Sequence, residues 1–214
     1  MAAKPLNRAV AYPLTYLFVF GGYMLTNHLS GLQAPHLLPL SAVDRAVPFL
    51  PWTGWIYVTV FPFPLFALAA VRAEEGVRAL LASFVALAAF CFACFLLYPT
   101  VYPRPPMSAA GPAAWPLLIV RALDRATNCC PSMHVISAFL TAFFVRRYRP
   151  ALGAGLVAWA SLISLSTLTT KQHYAWDVAA GLALSAAAYA LTSPRAAAVV
   201  AATAAEPETE PAFN

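Results

Sequence analysis

The stretch TNCCPSMHVISAFLTAFF (Thr127–Phe144) starts polar and turns into an apolar helix, with His134 where the character changes. Ionisable side chains are rare in membrane helices and usually have a task there. What an imidazole does at this helix entrance, just after a Pro-Ser pair, depends on where the other polar residues of the chain fall.

Few of them are charged. Of 214 residues, 61% are hydrophobic and 10% are charged. The mean hydropathy is +0.70. A soluble domain carries about 25% charged residues, so this composition is that of an integral membrane protein. The formal charge of +5 is modest and dispersed, which fits membrane-flanking ends and gives no footprint for nucleic acid. There is no internal repeat and no Gly-rich nucleotide loop. Cys91 and Cys94 lie in an apolar run and read as inert thiols. Cys129 and Cys130 are adjacent, too close to bridge without strain.

About 20 apolar residues span a bilayer. Tyr12–Leu29, Trp55–Val71, Ala79–Tyr98, Ala151–Thr170 and Tyr174–Leu191 qualify, and the second should kink at Pro62 and Pro64. Met133–Val145 is short and spans only if its start is shielded by protein or lines a wet cavity. The expected fold is all-α and integral to the membrane, a six-helix bundle with both termini cytoplasmic. The first span is read as uncleaved. Lys4, Arg8, Arg72, Arg78, Arg146, Arg147, Arg149 and Arg195 then lie inside, and Arg45, Arg104, Arg121, Arg125 and Lys171 outside. Residues 1–195 form one catalytic domain in this reading. Residues 196–214 form a short disordered tail, and Trp115–Leu123 an interfacial helix.

The outer loops collect the remaining polar chemistry. Arg104 follows the third span, Ser132 and His134 open the fourth, and Lys171, His173 and Asp177 lie between the fifth and sixth. Alone, Arg104 would be a headgroup anchor and Lys171 a snorkelling cation. Together these residues describe a phosphate site. Arginine grips phosphate oxygens with a planar fork, and Lys171 adds a point charge. Asp177, four residues after His173, can hold one imidazole nitrogen and leave the other free to act. Pro131 as the first helical residue would leave the next amides pointing at an anion. Two imidazoles on opposite sides of phosphorus can serve as nucleophile and general acid near neutral pH.

These residues resemble the type-2 phosphatidic acid phosphatase superfamily, whose motifs are K-x6-R-P, P-S-G-H and S-R-x5-H-x3-D. Arg104-Pro105 match the end of the first, Pro131–His134 the second with Met133 for glycine, and Ser166, His173 and Asp177 the third. The resemblance runs over roughly Ala79 to Leu191. It implies a phosphohistidine on His173, oriented by Asp177, a leaving group protonated by His134, and a phosphate bound by Arg104 and Ser132. It implies a lipid phosphate as substrate and no metal or other cofactor. Leu97 and Thr167 stand where the motifs have cations, and Lys171 is a candidate replacement. The phrases DRATNCCPSMH and STLTTKQHYAWDVAAG look most like the inositol phosphorylceramide synthase-like branch, which implies head-group transfer to a polyol as an alternative to hydrolysis by water. A site with fewer cations favours a singly charged diester donor over a monoester.

Two other classes use the same residues. Six spans with intramembrane charge also suit a transporter, though the chain shows no two-half symmetry. Cys129, Cys130, His134, His173 and Asp177 are all metal-ligand types. A degenerate, non-catalytic member would also lack cations. The site is expected on the outer face of a plasma or inner membrane.

Overall fold

A computed structural model describes the backbone of residues 5–107 and 111–204, with side chains described as far as residue 192. Lys4 and residues 205–214 of the expected tail lie outside the described residues. So does the side chain of Arg195. Helix α1 (Arg8–Ser30) leads to a two-residue strand β1 (His36–Leu37) and a short helix α2 (Ala42–Ala46). Short pieces α3 (Gly54–Tyr57) and α4 (Leu65–Ala70) precede the long α5 (Glu74–Leu97). Strand β2 (Thr100–Val101), helix α6 (Trp115–Leu123), α7 (Met133–Tyr148), α8 (Pro150–Thr169) and α9 (Ala175–Ala204) complete the chain.

Among the described residues, four helices are long and apolar enough to cross a membrane: α1, α5, α8 and the Ala175–Thr192 part of α9. Their ends follow from local chemistry. Glu74 and Glu75 begin α5, where carboxylates complement the amide dipoles. Pro150 opens α8, where its missing N–H costs nothing. The expected kinked span Trp55–Val71 is instead broken into α3, a 3-10 turn (Val58–Val60), further i→i−3 turns and α4. Pro62 and Pro64 lack amide hydrogens and obstruct the preceding turn, which ends the helix rather than bending it. Helix α6 covers the segment expected to form an interfacial helix.

Helix α7 lies at the centre. Val135, Ile136, Leu140 and Phe144 pack with Leu80, Phe84 and Phe95 of α5, Phe63 just before α4, Ala67 within it, and Ile163 of α8. At 16 residues it is about 24 Å long. Helix α1 is the opposite case. Leu14, Leu17, Phe18, Phe20 and Leu25 are exposed, and its buried residues are the polar Thr26, Asn27 and Ser30 at its C-terminal end. An apolar outer face with polar inner contacts is what a lipid-facing helix docked on a polar loop requires.

The two ends of the bundle differ in charge. Arg8 donates to the carbonyls of Val71 and Arg72, and the Leu6 amide donates to Glu74 (3.0 Å). Gly76 faces Tyr148 so closely that a side chain there would collide with the phenol. Arg8, Arg72, Glu74 and the Arg146–Arg149 turn therefore gather at one end. Since α8 reverses the direction of α7, the α8–α9 turn returns to His134 at the other end.

Candidate active site

Ser132 is the N-cap of α7, its hydroxyl accepting from the Val135 amide (3.4 Å). The helix thus begins two residues after Pro131, not at it. The Ser132 amide donates to the Asp177 carbonyl (3.1 Å). Gly181, one turn on in α9, permits that approach, since a Cβ there would lie 2.8 Å from the Ser132 carbonyl. Close packing of α7 on α9 therefore sets His134 against the residues that open α9.

His173 and Asp177 meet as their spacing implies. The His173 Nδ1 lies 2.9 Å from the Cys129 carbonyl and 3.3 Å from Asp177 Oδ2. Both are acceptors, so Nδ1 carries the hydrogen, and in the neutral ring Nε2 carries the lone pair. That Nε2 faces His134 Nδ1 at 3.3 Å. His134 Nδ1 must then be the donor of the pair. The Tyr57 hydroxyl is also near it, at 3.4 Å. Asp177 Oδ2 accepts the Tyr174 amide at 2.8 Å, while Oδ1 is buried without a partner among the described residues.

The Cys129 carbonyl is aimed by a polar knot against α1. Asn128 is left-handed (φ 59°), and its Oδ1 accepts from Ser30 (2.7 Å) while its Nδ2 donates to Thr26 (3.2 Å). Asn27 accepts the Arg125 amide (3.0 Å) and donates to Thr127 (3.2 Å). These contacts explain the buried polar face of α1.

The cations lie on loops. Arg104 donates to the Asp124 carbonyl (2.7 Å), to Asp124 Oδ2 (3.1 Å) and to the Arg125 carbonyl (3.3 Å). Tyr23 donates to Asp124 Oδ1 (2.9 Å). Burial pushes the Asp124 carboxyl up; Arg104, the Tyr23 hydroxyl and His173 pull the other way. Arg104 is also within electrostatic reach of His134. Lys171 is placed differently from the other expected site residues. In its left-handed conformation (φ 56°) it directs its ammonium to the carbonyls of Asp44 (2.8 Å) and Val47 (2.6 Å). Asp44 in turn accepts the Ala175 amide (2.8 Å) at the start of α9. The structure therefore brings His134, His173, Asp177 and Ser132 together, sets Arg104 beside them, and turns the Lys171 side chain toward the α2 loop.

Leu97 is 83% exposed at the end of α5. Thr167 is buried and donates to the Ser164 carbonyl (2.7 Å). Ser166 likewise donates to the Ile163 carbonyl (2.6 Å). Among the described residues, no group of three or more His, Cys, Asp or Glu side chains is arranged to hold a metal ion. Burial, and then the Asp177 carboxylate, push the Cys130 thiol up to about 12, and burial raises Cys129 as well.

Sequence reasoning missed Asp124, Tyr57, the Cys129 carbonyl and the Asn27–Asn128 knot. A signal for the knot was present: polar Thr26, Asn27 and Ser30 end an otherwise apolar helix.

These features define a class, a multi-pass membrane-type helical protein with a histidine–histidine–aspartate cluster at one end and the Arg104 guanidinium within electrostatic reach of it. The profile of the PAP2 superfamily matches residues 27–191, more than three-quarters of the chain, and the chain belongs to that superfamily. No curated protein and no solved structure matches the chain significantly. Membership suggests a phosphatase or phosphotransferase, and with it a lipid phosphate substrate.

Proposed function

We propose that this protein transfers the phosphoryl group of a membrane lipid phosphate ester through a phosphohistidine on His173. The observation that carries the reading is the tautomer. Two acceptors hold the Nδ1 hydrogen of His173 and leave the Nε2 lone pair facing the Nδ1 hydrogen of His134. Nε2 attacks phosphorus as the bond to the leaving alcohol breaks, and the electron pair leaves with that oxygen, which takes a proton from His134 in its imidazolium form and leaves that ring neutral. Water or an alcohol then attacks phosphorus, the phosphorus–nitrogen bond breaks, and His134 accepts the incoming proton. Asp177 holds the His173 ring and stabilises the positive charge that develops on it. Arg104 and Ser132 bind the phosphate oxygens.

Reacting atoms approach to about 3–3.5 Å. Phosphorus between the imidazoles therefore needs them roughly twice as far apart as the 3.3 Å seen here. The two rings satisfy each other until substrate parts them. The Lys171 ammonium is turned to the α2 loop, onto the Asp44 and Val47 carbonyls, so its part is to position the α8–α9 turn rather than to grip phosphate.

The finer reading is head-group transfer of the inositol phosphorylceramide synthase kind. Asp124 offsets the charge of Arg104, which favours a singly charged diester donor. We also propose six crossings, with the broken 54–71 segment and α7 as the two short ones. The Arg146–Arg149 end is cytoplasmic and the histidines face outward, the arrangement the basic residues favour.

The deciding experiment compares purified protein on lipid phosphomonoesters and phosphodiesters, with and without a polyol acceptor, and traps phosphoenzyme with labelled substrate. Acid-labile, base-stable label lost in His173→Ala is expected. Turnover with no labelled protein, or label retained in His173→Ala, sinks the mechanism. A monoester-only activity with no transfer product leaves a plain lipid phosphatase. Topology is tested with thiols introduced at Pro106 and Arg147 after Cys129 and Cys130 are replaced; labelling of both from one side overturns the six-crossing arrangement.

A further inference from the structure

Arg121, in the last turn of α6, is half-buried, and its position resembles a clip. Nη1 donates to the Pro105 carbonyl (2.6 Å), one residue from Arg104, and Nη2 donates to the Thr170 carbonyl (3.2 Å), one turn beyond Thr167. Its guanidinium lies 5.3 Å over the Phe49 ring. A clip that joins loops through carbonyls does not need to sit beside a second cation. Arg121 does. Burial, and then the positive charge of Arg104, bring its pKa down to about 10.

Two guanidiniums held close in a partly dry place repel one another, and that repulsion is relieved by an anion between them. Asp124 is held by Arg104 and the Tyr23 hydroxyl, and among the described residues it forms no ion pair with Arg121. Both arginines also keep a buried Nε hydrogen with no partner among the described residues. Buried donors are rarely left unpaired without a reason. The carbonyl contacts fix each fork while leaving those hydrogens available, the preorganisation an oxyanion site needs. Arg121 is bonded to the carbonyl of Pro105, next to Arg104, and to that of Thr170, three residues before His173, so the pair lies on the segments that lead to the reacting histidines.

We propose that Arg121 is a substrate-binding residue: with Arg104 it forms a two-guanidinium cradle for the phosphate of a singly charged phosphate ester. This rests on the function proposed above and supplies the cation that neither Leu97, Thr167 nor Lys171 provides. With Asp124 counted, the cradle carries one net positive charge, which matches a phosphodiester better than a doubly charged monoester.

The test uses the full chain in lipid nanodiscs, with orthovanadate as the oxyanion probe. Kinetic constants, vanadate inhibition and thermal stability are measured for wild type, Arg121→Gln and Arg121→Lys. In Arg121→Gln, KM and the vanadate inhibition constant are expected to rise together by about 10–100-fold, the usual range for a lost charge-assisted hydrogen bond. The fall in kcat should be under about tenfold, and Arg121→Lys should lie between. A purely structural clip would lower Tm and leave the vanadate constant within twofold of wild type, and that result overturns the proposal. Should Arg121→Gln fail to fold, vanadate protection of Arg121 from phenylglyoxal in the wild-type protein decides: protection supports the cradle, and equal modification with and without vanadate overturns it. A wild type that turns over no lipid phosphate and ignores vanadate brings down the proposed function itself, whereas a vanadate-sensitive wild type with an equally sensitive Arg121→Gln removes only Arg121.

Discussion

The two halves of the candidate site are built by different means. His134 and Asp177 sit in the first turns of packed helices and His173 just before α9, and backbone groups fix the last two: the Ser132 amide on the Asp177 carbonyl, the Tyr174 amide on Asp177 Oδ2, the Cys129 carbonyl on His173. Arg104 and Lys171 lie on connecting segments and Arg121 in the last turn of the short helix α6, and their ends are fixed by carbonyls of other segments. In the function proposed above, the histidine half, made by helix packing, serves chemistry, and the cation half, made largely by loop closure, serves binding. If that division holds, substitutions in the first half lower kcat, and those in the second act on KM or on stability.

The largest effect tests the first half directly. His173→Ala should lower kcat by at least about 10⁴-fold, because no covalent intermediate can form. His134→Ala should cost about 10²–10⁴-fold, and less on substrates with good leaving groups, which need no acid. A His134→Ala defect equal on good and poor leaving groups would mean that His134 does something other than protonate them.

Asp177→Asn should come next, at about 10²–10⁴-fold in kcat with KM little changed. Its amide can offer its nitrogen to His173 and so invert the tautomer that the carboxylate selects. A rise in KM instead of a fall in kcat would place Asp177 in binding and erase the distinction between the halves.

Asn128 joins the halves, since it shapes the loop after Arg125 and precedes the carbonyl that holds His173. Asn128→Ala removes three hydrogen bonds to α1 and puts alanine in a left-handed conformation. About 2–4 kcal/mol of stability should be lost. Asn128→Gly keeps the conformation at lower strain and should recover part of it. Chemical or thermal unfolding of the pair measures the difference, and an equal loss in both would assign the whole effect to the hydrogen bonds.

This contrast also explains what was legible in the sequence. Apolar runs mark long helices, and α1, α5, α8 and α9 were visible for that reason. The His173–Asp177 pairing follows from spacing of four, which survives folding. The 54–71 segment was less legible because hydropathy reports a run of apolar residues and not whether Pro62 and Pro64 bend or end it. The cations were least legible. Nothing periodic in a loop says which carbonyl a long flexible side chain will meet, so Lys171 was expected at phosphate and is found at Asp44 and Val47. The sequence did not single out Asp124 and offered Arg121 only as an outside cation, because their partners are 20 residues away for the first and 16 and 49 for the second.

Lys171→Met is a smaller test, and it separates the two uses of a loop cation. If Lys171 positions the α8–α9 turn, stability falls by about 1–2 kcal/mol, the scale of a charge-assisted bond at a half-exposed group. The kcat/KM value should then stay within a few-fold, with any loss appearing in kcat as His173 shifts. A phosphate ligand would behave in the reverse manner, with Tm unchanged and KM up by tenfold or more.

The smallest expected effect is at Leu97, where superfamily members carry a lysine. On sequence alone, restoring the cations with Leu97→Lys and Thr167→Arg should shift preference toward monoesters. The structure separates those two positions. Thr167 is fully buried with its hydroxyl bonded to Ser164, so an arginine there has no room without displacing α8, and its failure would report misfolding. Leu97 is 83% exposed, so lysine is tolerated, but its ammonium can take water or lipid headgroups as partners instead of the substrate. Leu97→Lys alone should therefore leave the monoester-to-diester ratio within about twofold and Tm unchanged, the scale of an isolated surface substitution. The measurement is the ratio of kcat/KM values on a matched pair of lipid esters. A shift of tenfold toward the monoester would mean that the end of α5 folds back over the histidines when substrate is bound, and the cation half of the site would then extend to a helix end as well as the loops.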